Sequence, residues 1–120
     1  MSGVKYLLDT NIIIGLLQRD VVVLDILRDK QVKINECAYS AITRMELLSF
    51  PAISVTEKEA IESLLNRMTY LMISSAIEDE TINFRSTHKT KLPDSIIAAT
   101  AKCHQLELVT LDQKLASKLK

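Results

Sequence analysis

The stretch Val4-Lys5-Tyr6-Leu7-Leu8-Asp9-Thr10-Asn11 decides how the rest of the chain is read. Residues 4–8 form a short, largely apolar run that stops at an acid, and at this length the run suits a buried strand better than a helix. Outward from it, residues 11–17 and 20–28 read as helices with Asn11 and Asp20 as N-caps. Val21, Val22 and Val23 would also tolerate a strand. Residues 33–39 make a second strand, and Ser40 opens a helix that Pro51 ends. Thr56 and Glu59 have the spacing of a capping box ahead of Ala60, Ile61, Leu64, Leu65 and Met68, which repeat at helical intervals. Residues 70–73 form a third strand, followed by a second capping pair, Ser75 with Glu78, and a helix to about Arg85. After a polar loop, Pro93 and Asp94 open another helix that runs through Cys103. Residues 107–110 make a fourth strand, and residues 113–119 a closing helix.

Strands that alternate with helices imply crossovers, and crossovers place helices over both faces of a mainly parallel sheet. The expected fold class is α/β: a three-layer α/β/α sandwich around a central sheet of four strands, or five, in a single domain over residues 1–120. The carboxyl ends of parallel strands share one edge, and ligands bind in the crevice where strand order reverses. Residues that directly follow a strand can therefore meet in space.

Composition removes several mechanisms. Only Gly3 and Gly15 are available, so there is no glycine-rich turn on which backbone N–H groups could cradle a phosphate, and P-loop and dinucleotide sites are excluded. Fifteen basic residues balance fifteen acidic ones, so nucleic acid would have to be held by a local basic patch or a bound metal. Five aromatic residues are too few for a base-stacking platform. Cys37 and Cys103 belong to no C-x-x-C or Cys/His cluster, which argues against structural zinc and against a redox pair. The apolar runs are far shorter than the roughly 18 residues of a membrane span. Asp9 and Asn11 interrupt the apolar N-terminal region, and no small-residue cleavage pattern follows it. A cytoplasmic protein with no membrane partner is expected.

Four acids fall where the strand ends should converge. Asp9 closes the first strand, Asp94 opens the helix after Pro93, Asp112 follows the fourth strand, and Glu46 lies one to two turns into the helix after the second. Singly, each has an ordinary use as a cap, a helix-dipole acid, a turn residue or a solvated side chain. Together they conflict, because two carboxylates about 5 Å apart repel by roughly 3 kcal/mol at an effective dielectric near 20. A divalent cation resolves the conflict. A ligand set made only of carboxylates selects a hard ion, Mg2+ or Mn2+, and such ions commonly act on phosphates. Glu46 stands within the apolar stretch from Met45 to Leu48, where a solvated acid is less expected.

These residues carry a family resemblance. Tyr6-Leu7-Leu8-Asp9-Thr10-Asn11 resembles the opening motif of PIN-domain ribonucleases, and Ser40-Ala41-Ile42-Thr43-Arg44-Met45-Glu46-Leu47 the second. Leu92-Pro93-Asp94-Ser95-Ile96-Ile97-Ala98-Ala99-Thr100-Ala101 resembles the third, and Leu108-Val109-Thr110-Leu111-Asp112 the fourth. Within that family the chain is most similar to the compact VapC-like toxins of bacterial toxin–antitoxin pairs. The resemblance implies metal-dependent endonucleolytic cleavage of RNA. Asp9, Glu46 and Asp94 would form the acid core, Asp112 would be a more variable fourth member, and Asn11 and Thr110 would support the acids by hydrogen bonding. It also implies a homodimer and a small antitoxin protein that covers the acidic site. Relatives of this kind usually continue into a further edge strand, where this sequence has only the short segment to Lys120.

For RNA, Arg85, His88, Lys89 and Lys91 lead directly into Asp94 and could bring phosphates to the acids. Arg44 and Lys102 lie on acid-bearing helices and could extend the patch. His88 and His104 are not needed as bases where a metal activates water. The apolar residues Ile12, Ile13, Leu16 and Leu17 exceed what one sheet face obviously needs, so part of them could form a dimer interface. Two other readings of the acids fail. A phosphoacceptor receiver domain needs an Asp after the third strand, where Ser74 and Ser75 stand. A phosphatase of the haloacid dehalogenase type needs a second Asp at the place of Asn11. Two alternatives stay open: a catalytically quiet PIN fold kept as a protein-binding module, and an RNA-processing nuclease outside any toxin pair.

Overall fold

Alternate residues of each strand face opposite ways, and here both sets are apolar. Leu8, Cys37, Tyr39 and Val109 enter one core, while Leu7, Ala38 and Leu108 enter a second on the other side of the sheet. A computed structural model describes residues 3–120. Its strands are β1 (Tyr6–Leu8), β2 (Cys37–Ser40), β3 (Thr69–Leu71) and β4 (Glu107–Val109). Its helices are α1 (Thr10–Leu17), α2 (Val21–Asp29), α3 (Ala41–Leu48), α4 (Val55–Leu65), α5 (Ser75–His88), α6 (Leu92–His104) and α7 (Gln113–Ser117). Every pairing is parallel, in the order β3-β2-β1-β4. Four strands are found among the described residues, and the fifth allowed by the sequence is not among them. No helix among them is long and apolar enough to cross a membrane.

Helices α1 to α4 supply Ile12, Ile13, Val23, Leu47, Ile61 and Leu65 to the first core. Helices α5 to α7 supply Phe84, Ile97, Ala98, Ala101 and Leu115 to the second. Ile12 and Ile13 are fully buried within the monomer, so they cannot provide the dimer surface suggested by their number. The stretch from Val21 to Val23 is helical despite its β-branched residues, because Asp20 accepts hydrogen bonds from the N–H groups of Val22 and Val23. Gly15 explains how α2 can lie so close to α1. A Cβ at that position would stand 2.3 Å from Val23 Cγ2 and 2.8 Å from Val23 Cβ.

Several local expectations shift. The N-cap of α1 is Asp9, whose carboxylate accepts from the Thr10 N–H, and not Asn11. The capping box of α4 is Ser54 with Glu57, two residues earlier than Thr56 with Glu59. Ser74, and not Ser75, caps α5 by accepting from the Ile77 N–H. Helix α5 runs on to His88, and Lys89 ends it in the left-handed region at φ 54°. The segment before β2 is a 3-10 turn at Ile34–Glu36, so that strand is shorter than expected.

The topology places the site. From β1 the chain steps to β2 and on to β3, and then returns across the sheet to put β4 on the free side of β1. Strand order therefore reverses between β1 and β4, and the crevice beyond their carboxyl ends is the expected ligand position.

Candidate active site at the carboxyl ends of β1 and β4

Asp9 stands at that crevice and is 6% exposed. Its backbone N–H extends the sheet by donating to Val109 O at 3.0 Å. One carboxylate oxygen accepts from the Thr10 N–H at 2.7 Å, and the other from Thr110 Oγ1 at 2.7 Å. Asn11 joins the same group from the first turn of α1. Its Nδ2 lies 3.4 Å from both Asp9 Oδ2 and Thr110 Oγ1, and its Oδ1 accepts from the Leu111 N–H at 3.2 Å. Thr110 also accepts from the Asp112 N–H at 3.0 Å. The turn after β4 is thus tied to the turn after β1 through two uncharged side chains.

The charge on Asp9 is poorly accommodated. Burial pushes its carboxyl above the ordinary Asp value, and the hydrogen bonds from Thr110 and Thr10 pull it back in part. The negative charges of Asp94 and Glu46 push it up again, so three acids from distant parts of the chain share one electrostatic neighbourhood. Asp94 lies half-buried in the first turn of α6 behind Pro93, where the helix dipole favours an anion.

Glu46 differs from expectation. It is exposed on α3, as is Met45 beside it, so the apolar stretch does not bury it. It is held instead by Thr10, whose hydroxyl donates to Glu46 Oε1 at 2.7 Å. Thr10 Oγ1 also lies 2.9 Å from Oγ1 of the fully buried Thr43. Neither threonine was singled out from the sequence. The only signals were a polar residue between Asp9 and Asn11, and a polar residue one helical turn before Glu46.

Asp112 is exposed, and its Oδ1 accepts from the Leu115 N–H to cap α7. Among the described residues no three His, Cys, Asp or Glu side chains stand close enough together to hold one ion. The four expected ligands therefore do not form a closed cage as their side chains lie. The donor set still suits a hard cation of the Mg2+ type. It is all oxygen, it is mutually repulsive, and Mg2+ binds through one or two carboxylates, with water and phosphate completing its shell.

Among the basic residues, Arg85 Nε donates to Thr90 O at 3.2 Å and braces the turn between α5 and α6. His88 packs its ring on Phe84 with centroids 4.4 Å apart. Arg44, Lys89 and Lys91 are exposed, and none of the ion pairs among the described residues engages them. Lys102 is paired with Glu80 at 3.0 Å.

This arrangement has relatives. The model of the PIN domain matches residues 6–118. A chain of a toxin–antitoxin complex from Klebsiella pneumoniae is 33% identical and aligns with a TM-score of 0.80, over 92% of this chain and 88% of that one. FitAcB from Neisseria gonorrhoeae aligns with a TM-score of 0.69 at 26% identity, over 95% of this chain and 92% of that one. VapBC2 from Rickettsia felis, solved bound to a DNA fragment from their promoter, shares the fold with a TM-score of 0.77 at 20% identity, over 93% and 91% of the two chains. No curated protein matches the sequence. The chain belongs to the PIN-domain family, a family of nucleases.

Proposed function

We propose that the chain is a divalent-metal-dependent endoribonuclease and the toxin of a toxin–antitoxin pair. The observation that carries this reading is the place of Asp9, buried at the reversal of strand order with the charges of Asp94 and Glu46 in its neighbourhood. A buried acid under like-charge pressure is an unfavourable arrangement for stability alone, and such arrangements cluster at functional sites.

Asp9 and Asp94 would hold the ion, Mg2+ or Mn2+, with Glu46 and Asp112 bordering it. When bound, such an ion supplies electrophilic polarisation of the scissile phosphate and a more acidic water for hydrolysis. Thr110 and Asn11 fix the Asp9 carboxylate through its hydrogen bonds, so that its remaining lone pairs keep one direction. Exposed Arg44, Arg85, Lys89 and Lys91 would give an otherwise neutral chain an attraction for RNA phosphates. The antitoxin partner is supported by the relative from Klebsiella pneumoniae, which is described as part of a toxin–antitoxin complex. A homodimer and a cytoplasmic setting are part of the same proposal.

The test is cleavage of single-stranded RNA by purified protein with Mg2+ or Mn2+. The wild type is compared with Asp9→Asn and Asp94→Asn, and with EDTA. Cleavage should need the ion and both acids. Equal cleavage by all three proteins, or cleavage that persists in EDTA, would reject the reading.

A further inference from the structure

We infer that Thr43 is a positioning residue that fixes Glu46 through Thr10. The direction of the hydrogen bonds carries the inference. Thr10 has one hydroxyl hydrogen, and it is committed to Glu46 Oε1 at 2.7 Å. The contact of 2.9 Å between Thr10 Oγ1 and Thr43 Oγ1 must then run the other way, with Thr43 donating. The result is a one-way chain, Thr43 to Thr10 to Glu46, that starts at a fully buried hydroxyl and ends on an exposed carboxylate.

The two ends of this chain sit on one helix and its middle member on another. Thr43 and Glu46 belong to α3, and Thr10 opens α1 directly after Asp9. The hydroxyl pair therefore couples the placement of Glu46 to the turn that carries Asp9. A long exposed Glu side chain would otherwise sample many rotamers, and ordering it at the moment of ligand binding costs entropy. Thr43 is rigid at χ1 and wholly packed, so it is a fixed anchor for a mobile group. Partners one bond removed from a metal ligand, the place Thr10 takes beside Glu46, typically change metal affinity by about 10- to 100-fold when lost, and for Thr43, one bond further out, the lower end of that range is expected.

The inference rests on the reading of Glu46 as an acid of the metal site, and its test separates the two. In metal-free protein, side-chain scalar couplings of Glu46 report whether it holds one rotamer. In parallel, Mn2+ affinity is measured by titration for wild type, Thr43→Val, Thr43→Ser, Glu46→Gln and the double variant Glu46→Gln/Thr43→Val. Thr43→Val should average the Glu46 couplings and weaken Mn2+ binding about tenfold. Thr43→Ser keeps the donor and should restore both. In the Glu46→Gln background Thr43→Val should cost nothing further, because its effect passes through Glu46. Couplings that stay those of one rotamer in Thr43→Val would overturn the inference, as would an equal loss of affinity with and without Glu46. A wild type that shows an ordered Glu46 but takes up no Mn2+ would defeat the metal reading alone, and the couplings would still decide the role of Thr43.

Discussion

Thr110→Val is the substitution whose consequences the structure determines most fully. Valine keeps the branched shape in a position only 6% exposed, so packing changes little. What is lost is a hydroxyl that donates to Asp9 Oδ2 at 2.7 Å and accepts from the Asp112 N–H at 3.0 Å. A hydrogen bond to a charged group is worth about 1.5–3 kcal/mol and a neutral one about 1 kcal/mol, so the expected cost near pH 8 is about 3 kcal/mol. For a domain of this size that lowers Tm by on the order of 10 °C. The cost must depend on pH, with a determined sign. Asp9 already has its pKa raised in the fold, chiefly by burial, and the Thr110 bond is the largest factor lowering it. Removing that bond raises the pKa further. A carboxyl raised in this way supports folding while protonated, below its unfolded pKa, and opposes folding as pH rises through its folded value. The penalty of Thr110→Val should therefore shrink toward about 1 kcal/mol in acid, where the neutral carboxyl no longer needs a donor. Urea unfolding of wild type and variant in EDTA, from pH 4 to pH 8, measures it. A penalty that is the same at every pH, or one that is negligible at pH 8, would refute the reasoning.

The same linkage gives Asp9→Asn two opposite effects. It should abolish metal-dependent cleavage yet raise the Tm of the metal-free protein at neutral pH, with the gain fading as the pH falls, and a matched series of thermal melts checks this. Gly15→Ala should destabilise by about 1–3 kcal/mol despite the better helix propensity of alanine, since the new Cβ meets Val23 Cβ, which cannot rotate away; chemical denaturation reads the sign. Thiol labelling under native conditions should modify exposed Cys103 well before Cys37, which is buried and whose thiol burial pushes up to about 11.

Much of the architecture was legible because it follows from pattern. The acid at the end of an apolar run located the β1 boundary and marked the candidate site, and the alternation of strands and helices gave the parallel sheet. What escaped was set by competition between equivalent local choices. Ser54-Val55-Thr56-Glu57 and Thr56-Glu57-Lys58-Glu59 offer overlapping capping boxes, and packing of α4 selects the first. Asn11 is as good a cap as Asp9 on propensity alone, but its side chain is taken by Thr110 and Leu111 from the turn after β4, far along the sequence. Hydrophobicity misjudged Glu46, because the side chains of Met45 and Glu46 point to solvent while Thr43 and Leu47 face inward. Thr10 and Thr43 were invisible for the same reason, since a hydroxyl pair between α1 and α3 exists only once the two helices have packed.

If residues so distant in sequence share one hard cation, a redox-active substitute should report on all of them at once. Fe2+ in place of Mg2+, with ascorbate and peroxide, generates hydroxyl radicals that cut the backbone nearest the ion. Scission should concentrate beside Asp9, Glu46 and Asp94, be suppressed by excess Mg2+, and vanish in Asp9→Asn. Cuts confined to one of the three segments, or cuts elsewhere that Mg2+ does not suppress, would contradict a common ion at the carboxyl ends of β1 and β4.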